Sequence, residues 1–333
     1  MRAIVFENPG GPEVLRWADA PNPQLSEGEL LVRVRATAVN RADVLQRRGA
    51  YPPPAGASPI LGLELAGQAL TASGAIQVGD RVMAVVTGGG YAELAAVPAG
   101  MAMPIPATLS FAQAAAIPEA FLTAFLNLFT LGQLKAAEVA LIHAGASGVG
   151  SAAIQLAHAA GATVIATAGS DAKLARCREL GAAHTVNYRT ESFAERVREL
   201  TSGGGAHVIL DFVGAPYWDG NLAAAAVGGR LLLIGFLGGA RGQLDLGPIL
   251  AKSLSVSGTT LRRTPLAQKI ALTHAFVEFA MPRLVAGELQ PVIDRTLPLR
   301  DAAEAHRYLE TNANIGKVVL TLDEDMDKGE GEI

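Results

Sequence analysis

The chain has one cysteine, few aromatic residues and no block of basic residues. Among its 333 residues, aromatics make up 5% and charged side chains 17%, and the net charge is −4. The lone Cys177 rules out an internal disulfide and a cysteine-rich zinc site. It lies in the helical-looking "KLARCREL", where packing explains it better than reactivity. With an acidic balance and no basic stripe, neither nucleic acid nor an anionic membrane surface is an expected partner. Strand-like "RAIVF" follows Met1 at once, where a secretory leader would need a charged and then an apolar stretch, so a cytoplasmic protein is expected. The longest apolar stretch, 114–132, carries Pro118 and Glu119 and is expected to be a buried helix rather than a membrane span.

Half of the residues are apolar, and the length favours two domains over a single core. The N-terminal third reads as β: "RAIVF", "LLVRVRATAVN", "LELAGQAL", "DRVMAVV" and "YAELAAV" are short apolar or alternating runs separated by Gly, Pro, Asn and Asp. From Phe121 to Ser257 the pattern changes. Strands such as "EVALIHA", "TVIATA", "HVILDFV" and "GRLLLIGF" alternate with helical segments such as "DAKLARCREL" and "SFAERVREL". Near-continuous Val, Ile and Leu in such strands indicates a parallel sheet covered on both faces. After a long helical stretch, "PVIDRTLPL", "DAAEAHRYLE" and "GKVVLTL" return to strand, helix, strand. The expected class is therefore α/β. A β-rich domain takes residues 1–118 and 296–322, and a dinucleotide-type domain of doubly wound parallel sheet is inserted over 119–295. The acidic tail 323–333 has no apolar pattern and is expected to be frayed.

The stretch "HAGASGVGSAAIQLA" sits between the strand "EVALIHA" and a helix ending at Gly161. That is where a dinucleotide fold offers free N–H groups to a pyrophosphate. Against G-x-G-x-x-G the turn reads Gly145, Ser147, Gly150, with serine in the middle and an extra Gly148. Gly145, Ser147, Gly148, Val149 and Gly150 are expected to face the pyrophosphate; close packing of the glycines is the alternative. At the end of the next strand an NAD site usually presents a carboxylate to the ribose 2′-OH. Here Gly169 and Ser170 stand there, leaving room for a 2′-phosphate, with Lys173 as a cation. Asp171 is at odds with this and is explained by the helix N-terminus it opens. Tyr188 either adds a hydroxyl to the same phosphate or is a half-buried core residue. NADPH is favoured over NADH.

This order of parts, with "VNRADVLQRRGAYPPPAGAS", "LGLELAG", "AAIPEAFLTAF", "HAGASGVGSAAIQLA", "TAGSDAKL" and "NIGKVVL", resembles the medium-chain dehydrogenases/reductases over nearly the whole chain. Within them it looks most like the zinc-free quinone oxidoreductases related to zeta-crystallin; "GAYPPPAGAS" and "GASGVG" are similar to the stress-inducible subgroup. The resemblance implies a GroES-like β-rich catalytic domain and a Rossmann domain. Zinc members place a catalytic cysteine where this chain has Asn40, and Gly-His-Glu where it has Gly62-Leu63-Glu64. These positions cannot supply a tetrahedral zinc site, which removes Lewis-acid polarisation of an alcohol and leaves reduction of an already conjugated acceptor.

By the same resemblance, Asn40, Asp43, Tyr51 and Thr123 would line the substrate cleft. For Asn40 and Asp43 the competing role is helix capping; for Tyr51, shielding of apolar surface; for Thr123, packing within a helix. Val213 and Gly214 would lie beside the adenosine, Phe236, Leu237 and Gly238 would border the nicotinamide, and Thr260 and Asn314 would close the pocket. His143 reads simply as a strand-end residue. The expected activity is an NADPH-dependent quinone oxidoreductase. The alternatives are an enoyl or alkenal reductase, and an NADPH-binding protein with little turnover. A homodimer paired through "LSVSGTTL" is expected.

Overall fold

The structure is a computed structural model that describes residues 1–322; the tail, 323–333, lies outside the described residues. Arg2–Val5 (β1) pairs antiparallel with Arg16–Asp19 (β2). In the long strand Glu29–Val39 (β3), alternation sends Leu30, Val32, Val34, Ala36 and Ala38 into the core. The short helix Arg41–Arg47 (α1) follows, then Glu64–Ala69 (β4), Arg81–Val85 (β5), Leu94–Pro98 (β6), Met103–Pro104 (β7) and the helices Phe111–Ala115 (α2) and Pro118–Phe125 (α3). The stretch Phe111–Leu131 is long and apolar enough to cross a membrane by composition, yet 78% of its most apolar window is buried inside the fold. That is the profile of a core helix.

Strand and helix then alternate: Val139–Ile142 (β8), Gly148–Ala159 (α4), Thr163–Ala168 (β9), Asp171–Glu179 (α5), His184–Asn187 (β10), Phe193–Leu200 (α6), Ala206–Asp211 (β11), Trp218–Ala224 (α7), Ala225–Leu233 (β12), Gly247–Ala251 (α8) and Ser255–Gly258 (β13). All six strands are parallel, in the order β10-β9-β8-β11-β12-β13. The sheet is the Rossmann arrangement expected from the sequence. Leu141, Ile165, Ile209 and Leu231 fill its core together with Val197 and Trp218 from the covering helices.

The chain closes with Leu266–Ala286 (α9), Ile293–Pro298 (β14), Ala302–Glu310 (α10) and Lys317–Thr321 (β15). β15 pairs with β3, and β14 with β15, so the chain end completes a sheet ordered β14-β15-β3-β4-β5-β7, with β6 also on β3. This is the β-rich GroES-like unit.

The two compact units are Met1–Glu119 with Arg262 onward, and Ala120–Leu261. The boundary expected after residue 295 thus lies after 261. The reason is α9, which packs on the turn Ala99–Met101: a Cβ on Gly100 would lie 2.9 Å from Ile270 Cδ1, and Thr273 Oγ1 is 3.6 Å from Met101 Sδ. Helical periodicity reveals the helix but not the turn on which it packs.

Candidate active site

In the α/β unit, β9 departs to one side of β8 while β11 and β12 build out on the other. Ligands bind at such a switch point, outside the carboxyl ends of the strands. The turn after β8 is tightly drawn. Ala144 has a left-handed φ of 48°, and Gly145 N–H donates to Thr167 O at 2.9 Å. A Cβ on Gly150 would overlap the Ala144 carbonyl oxygen and come within 2.9 Å of Gly145 Cα, so the turn closes only over glycine. Ser147 is the N-cap of α4, and its Oγ accepts from Gly150 N–H at 3.0 Å. The Gly150 amide is satisfied by the Ser147 hydroxyl, whose own O–H is not used in that bond, and the amides of Gly148 and Val149, which have no intrahelical acceptor, remain for an anion.

His143 does more than end a strand. It is fully buried, with Nδ1 3.0 Å from Thr167 Oγ1 and Nε2 2.7 Å from Asn221 Oδ1. Asn221 Nδ2 donates to Asp211 Oδ2 at 3.1 Å, and Asp211 Oδ1 accepts from Val213 N–H at 2.6 Å and Gly214 N–H at 3.1 Å. This chain ties together the carboxyl ends of β8, β9 and β11. Burial, opposed by the Asn221 bond, holds the imidazole at about 4, so it stays neutral.

At the end of β9, Tyr188 lies against Gly169. A Cβ there would be 2.5 Å from Tyr188 Oη and 3.1 Å from Arg189 Nε. Tyr188 is 44% exposed, with its ring 6.4 Å from that of Tyr217. Ser170 is the N-cap of α5 by position but makes no capping bond with its side chain, and Lys173 lies one turn further along the helix. Arg189 was not singled out from sequence. Its only signal was a basic residue following Tyr188.

Beyond β11, Gly214 (φ 91°) bridges to Gly239, and Gly238 packs on Val213. Phe236 and Leu237 stand 55% and 54% exposed beside them, an uncovered apolar surface next to these glycines. Thr123 is 8% exposed on α3. Asn127, which no sequence motif singles out, donates to Thr123 O at 2.8 Å and accepts from Thr259 Oγ1 at 3.1 Å, which fixes the segment carrying Thr260. Asn314 belongs to the other unit, and its Nδ2 donates to Gly316 O at 2.7 Å, within its own loop.

The β-rich unit holds a buried charged cluster. Glu64, fully buried on β4, pairs with Lys317 on β15 at 2.7 Å. Asn40 sits between them: Nδ2 donates to Glu64 Oε1 at 2.8 Å, and Oδ1 accepts from Lys317 Nζ at 2.6 Å. Glu64 Oε2 accepts from Glu119 N–H at 2.8 Å. Asp43 caps α1 as the capping alternative foresaw, accepting from Asn40 N–H at 2.8 Å, and also takes Gly62 N–H at 3.0 Å. Asn40 occupies the N-cap of α1, and its side-chain amide is held by the ion pair. An ammonium on Asn40 and Glu64, with Leu63 in the sequence between β3 and β4, makes a donor set that does not fit zinc. Among the described residues no group of three or more His, Cys, Asp or Glu converges as metal ligands would. Tyr51 stands apart from this cluster, with its ring 5.5 Å from the Arg262 guanidinium and 5.8 Å from that of Arg263.

Burial, and then the Glu64 carboxylate, push the Glu119 carboxyl up to about 8; burial pushes Asp43 up to about 6. A carboxyl raised on folding binds a proton that the unfolded chain has lost. Its contribution to stability is therefore complete below the unfolded value near 4.5 and disappears as pH rises through the folded one. Between about pH 6.5 and 8.5, above the Asp43 and histidine transitions, the protein is expected to lose stability. Glu119→Gln, which keeps a neutral isostere, is expected to flatten that slope. Denaturant midpoints across the window measure it, and parallel slopes in both proteins would refute the assignment.

The sequence pattern of the alcohol dehydrogenase GroES-like domain matches residues 26–107, and that described as zinc-binding dehydrogenase matches 148–276. The chain is 34% identical to the quinone oxidoreductase of Salmonella typhimurium over 322 residues, covering 95% of this chain and 98% of that protein. It is 33% identical to the mycocerosic acid synthase-like polyketide synthase of Mycobacterium tuberculosis, covering 95% of this chain but 15% of that protein. The structure of Escherichia coli quinone oxidoreductase complexed with NADPH is similar with a TM-score of 0.86 and 32% identity, over 97% of this chain and all of that one.

Proposed function

The chain belongs to the quinone oxidoreductase family of medium-chain dehydrogenases/reductases, and we propose that it is an NADPH-dependent quinone oxidoreductase working without zinc. The observation that carries the reading is the pair of open amides, Gly148 and Val149, at the switch point of the sheet, with Tyr188 and Arg189 gathered at Gly169 where no carboxylate stands. The amides hold the pyrophosphate; Ser170, Lys173, Tyr188 and Arg189 take the 2′-phosphate; Val213 and Gly214 lie along the adenosine; Phe236 and Leu237 offer apolar surface to the nicotinamide. When bound, NADPH supplies a hydride to the acceptor, and a proton from Tyr51 or water completes the two-electron reduction to the hydroquinone. The chain's own part is positioning and exclusion of water.

The match to a polyketide synthase over nearly the whole chain favours a second reading, an enoyl reductase. Turnover of an ortho- or para-quinone against a 2-enoyl thioester, each with NADPH, separates the two; higher kcat/KM on the thioester overturns the first. Tyr51→Phe is expected to lower kcat about tenfold at unchanged NADPH affinity, less than an obligatory general acid would because water can also supply the proton. An unchanged kcat eliminates Tyr51 as donor.

A homodimer and a cytoplasmic location go with this reading. β13 is an edge strand, and Val227, Leu246 and Leu250 near it are 78%, 62% and 87% exposed. Sedimentation is expected to give twice the 34.3 kDa chain mass, and a monomer at micromolar concentration would refute it.

A further inference from the structure

Within the β-rich unit, a cavity of about 590 Å³ is lined by Pro54, Ala57, Thr87, Arg262, Arg263 and Lys269 among others. Arg262 is 4% exposed and Lys269 6%. Arg262 donates from Nε and Nη2 to Thr87 O at 2.9 and 2.7 Å, while its Nη1 is buried with no acceptor at all. An unsatisfied buried guanidinium nitrogen is costly, and native structures rarely keep one without a ligand.

Lys269 sits in the first turn of α9, where the helix dipole disfavours a cation, and that turn contains no acidic residue. Among the described residues no carboxylate forms an ion pair with Arg262, Arg263 or Lys269. The nearest acidic influence on Lys269 is Glu119, whose carboxyl is itself largely protonated at neutral pH. Three cations therefore line one cavity with no carboxylate in ion-pair contact, although the Asp43 carboxylate acts on Arg262 from further off, and two of them flank the ring of Tyr51.

We propose that this cavity is an acceptor subsite for an oxyanion, so that the preferred substrates are conjugated carbonyl compounds carrying a carboxylate, sulfonate or phosphate group. The proposal rests on the reductase reading through Tyr51, which places the reacting ring next to the subsite. Arg262 is held by Thr87 and supplies a fixed charge, Lys269 a second buried one, and exposed Arg263 closes over the anion.

The test compares a neutral naphthoquinone with its ring-sulfonated analogue in wild type, Arg263→Gln, Lys269→Met and the double variant, with NADPH affinity measured alongside. The ratio of variant to wild-type kcat/KM cancels the intrinsic reactivity of each quinone. Each single variant is expected to lose about tenfold or more on the sulfonated quinone relative to the neutral one, mainly in KM. Equal losses on both quinones overturn the proposal, as does a loss of NADPH affinity that matches the loss in kcat/KM, since the cations would then be reading the cofactor. Equilibrium binding of the sulfonated quinone to the NADPH-free protein keeps the two readings apart. If neither quinone is turned over but the wild type binds the sulfonated one and the double variant does not, the reductase reading fails and the subsite stands. If both proteins bind it equally, the subsite fails.

Discussion

Lys317→Met is expected to destabilise the protein by about 3–5 kcal/mol, because it leaves the Glu64 carboxylate buried without its cation. Glu64 is fully buried and the Lys317 side chain only 5% exposed, and the ammonium also serves Asn40 Oδ1 and Val39 O, so one substitution removes the donor from three acceptors. The urea midpoint should fall at unchanged m-value. The double variant Glu64→Gln with Lys317→Met should recover most of the loss. Replacing both partners is far milder than orphaning one, and Gln keeps an acceptor for Glu119 N–H. A double variant as unstable as the single would show that the methionine is merely badly packed.

Lys173→Ala is expected to weaken NADPH binding about 10- to 150-fold while leaving NADH nearly unaffected, the range of one charge-assisted contact. Arg189→Ala should do the same within that range, and the two losses should multiply if each cation holds the 2′-phosphate separately. The effect should shrink with added salt, because Arg189 is exposed and its field is screened. Dissociation constants for the two nucleotides at two ionic strengths are sufficient. An equal loss on both would mean that these cations read the pyrophosphate or only support the fold. A Ser170→Asp change offers the converse: a carboxylate at that position should repel the phosphate and shift preference toward NADH.

The alternation of β and α segments and the glycine turn are legible in sequence because each depends on neighbours within one βα unit, whereas the corner formed by Gly169, Ser170 and Tyr188 joins the ends of β9 and β10. The buried cluster is not legible. Lys317 meets Asn40 across 277 positions, and nothing in "NIGKVVL" distinguishes a buried lysine from a solvated one at a strand end. Arg189 is illegible for a different reason: only the backbone bend after β10 brings its guanidinium to Gly169. The role of His143 is not local in sequence, because its partners, Thr167 and Asn221, come from two other βα units. The misplaced boundary at 295 has the same origin, since the periodicity of α9 describes the helix and not its neighbour.

The position of Cys177 has its own consequence. The thiol is buried beneath the glycine turn, 2.9 Å from where a Cβ on Gly145 would lie, and burial raises it to about 12. Quinones are Michael acceptors that arylate thiolates, and a thiol so placed presents no thiolate to solvent. A catalyst built on this chain would hold its electrophilic substrates with no thiolate within their reach, and so would escape inactivation through cysteine arylation.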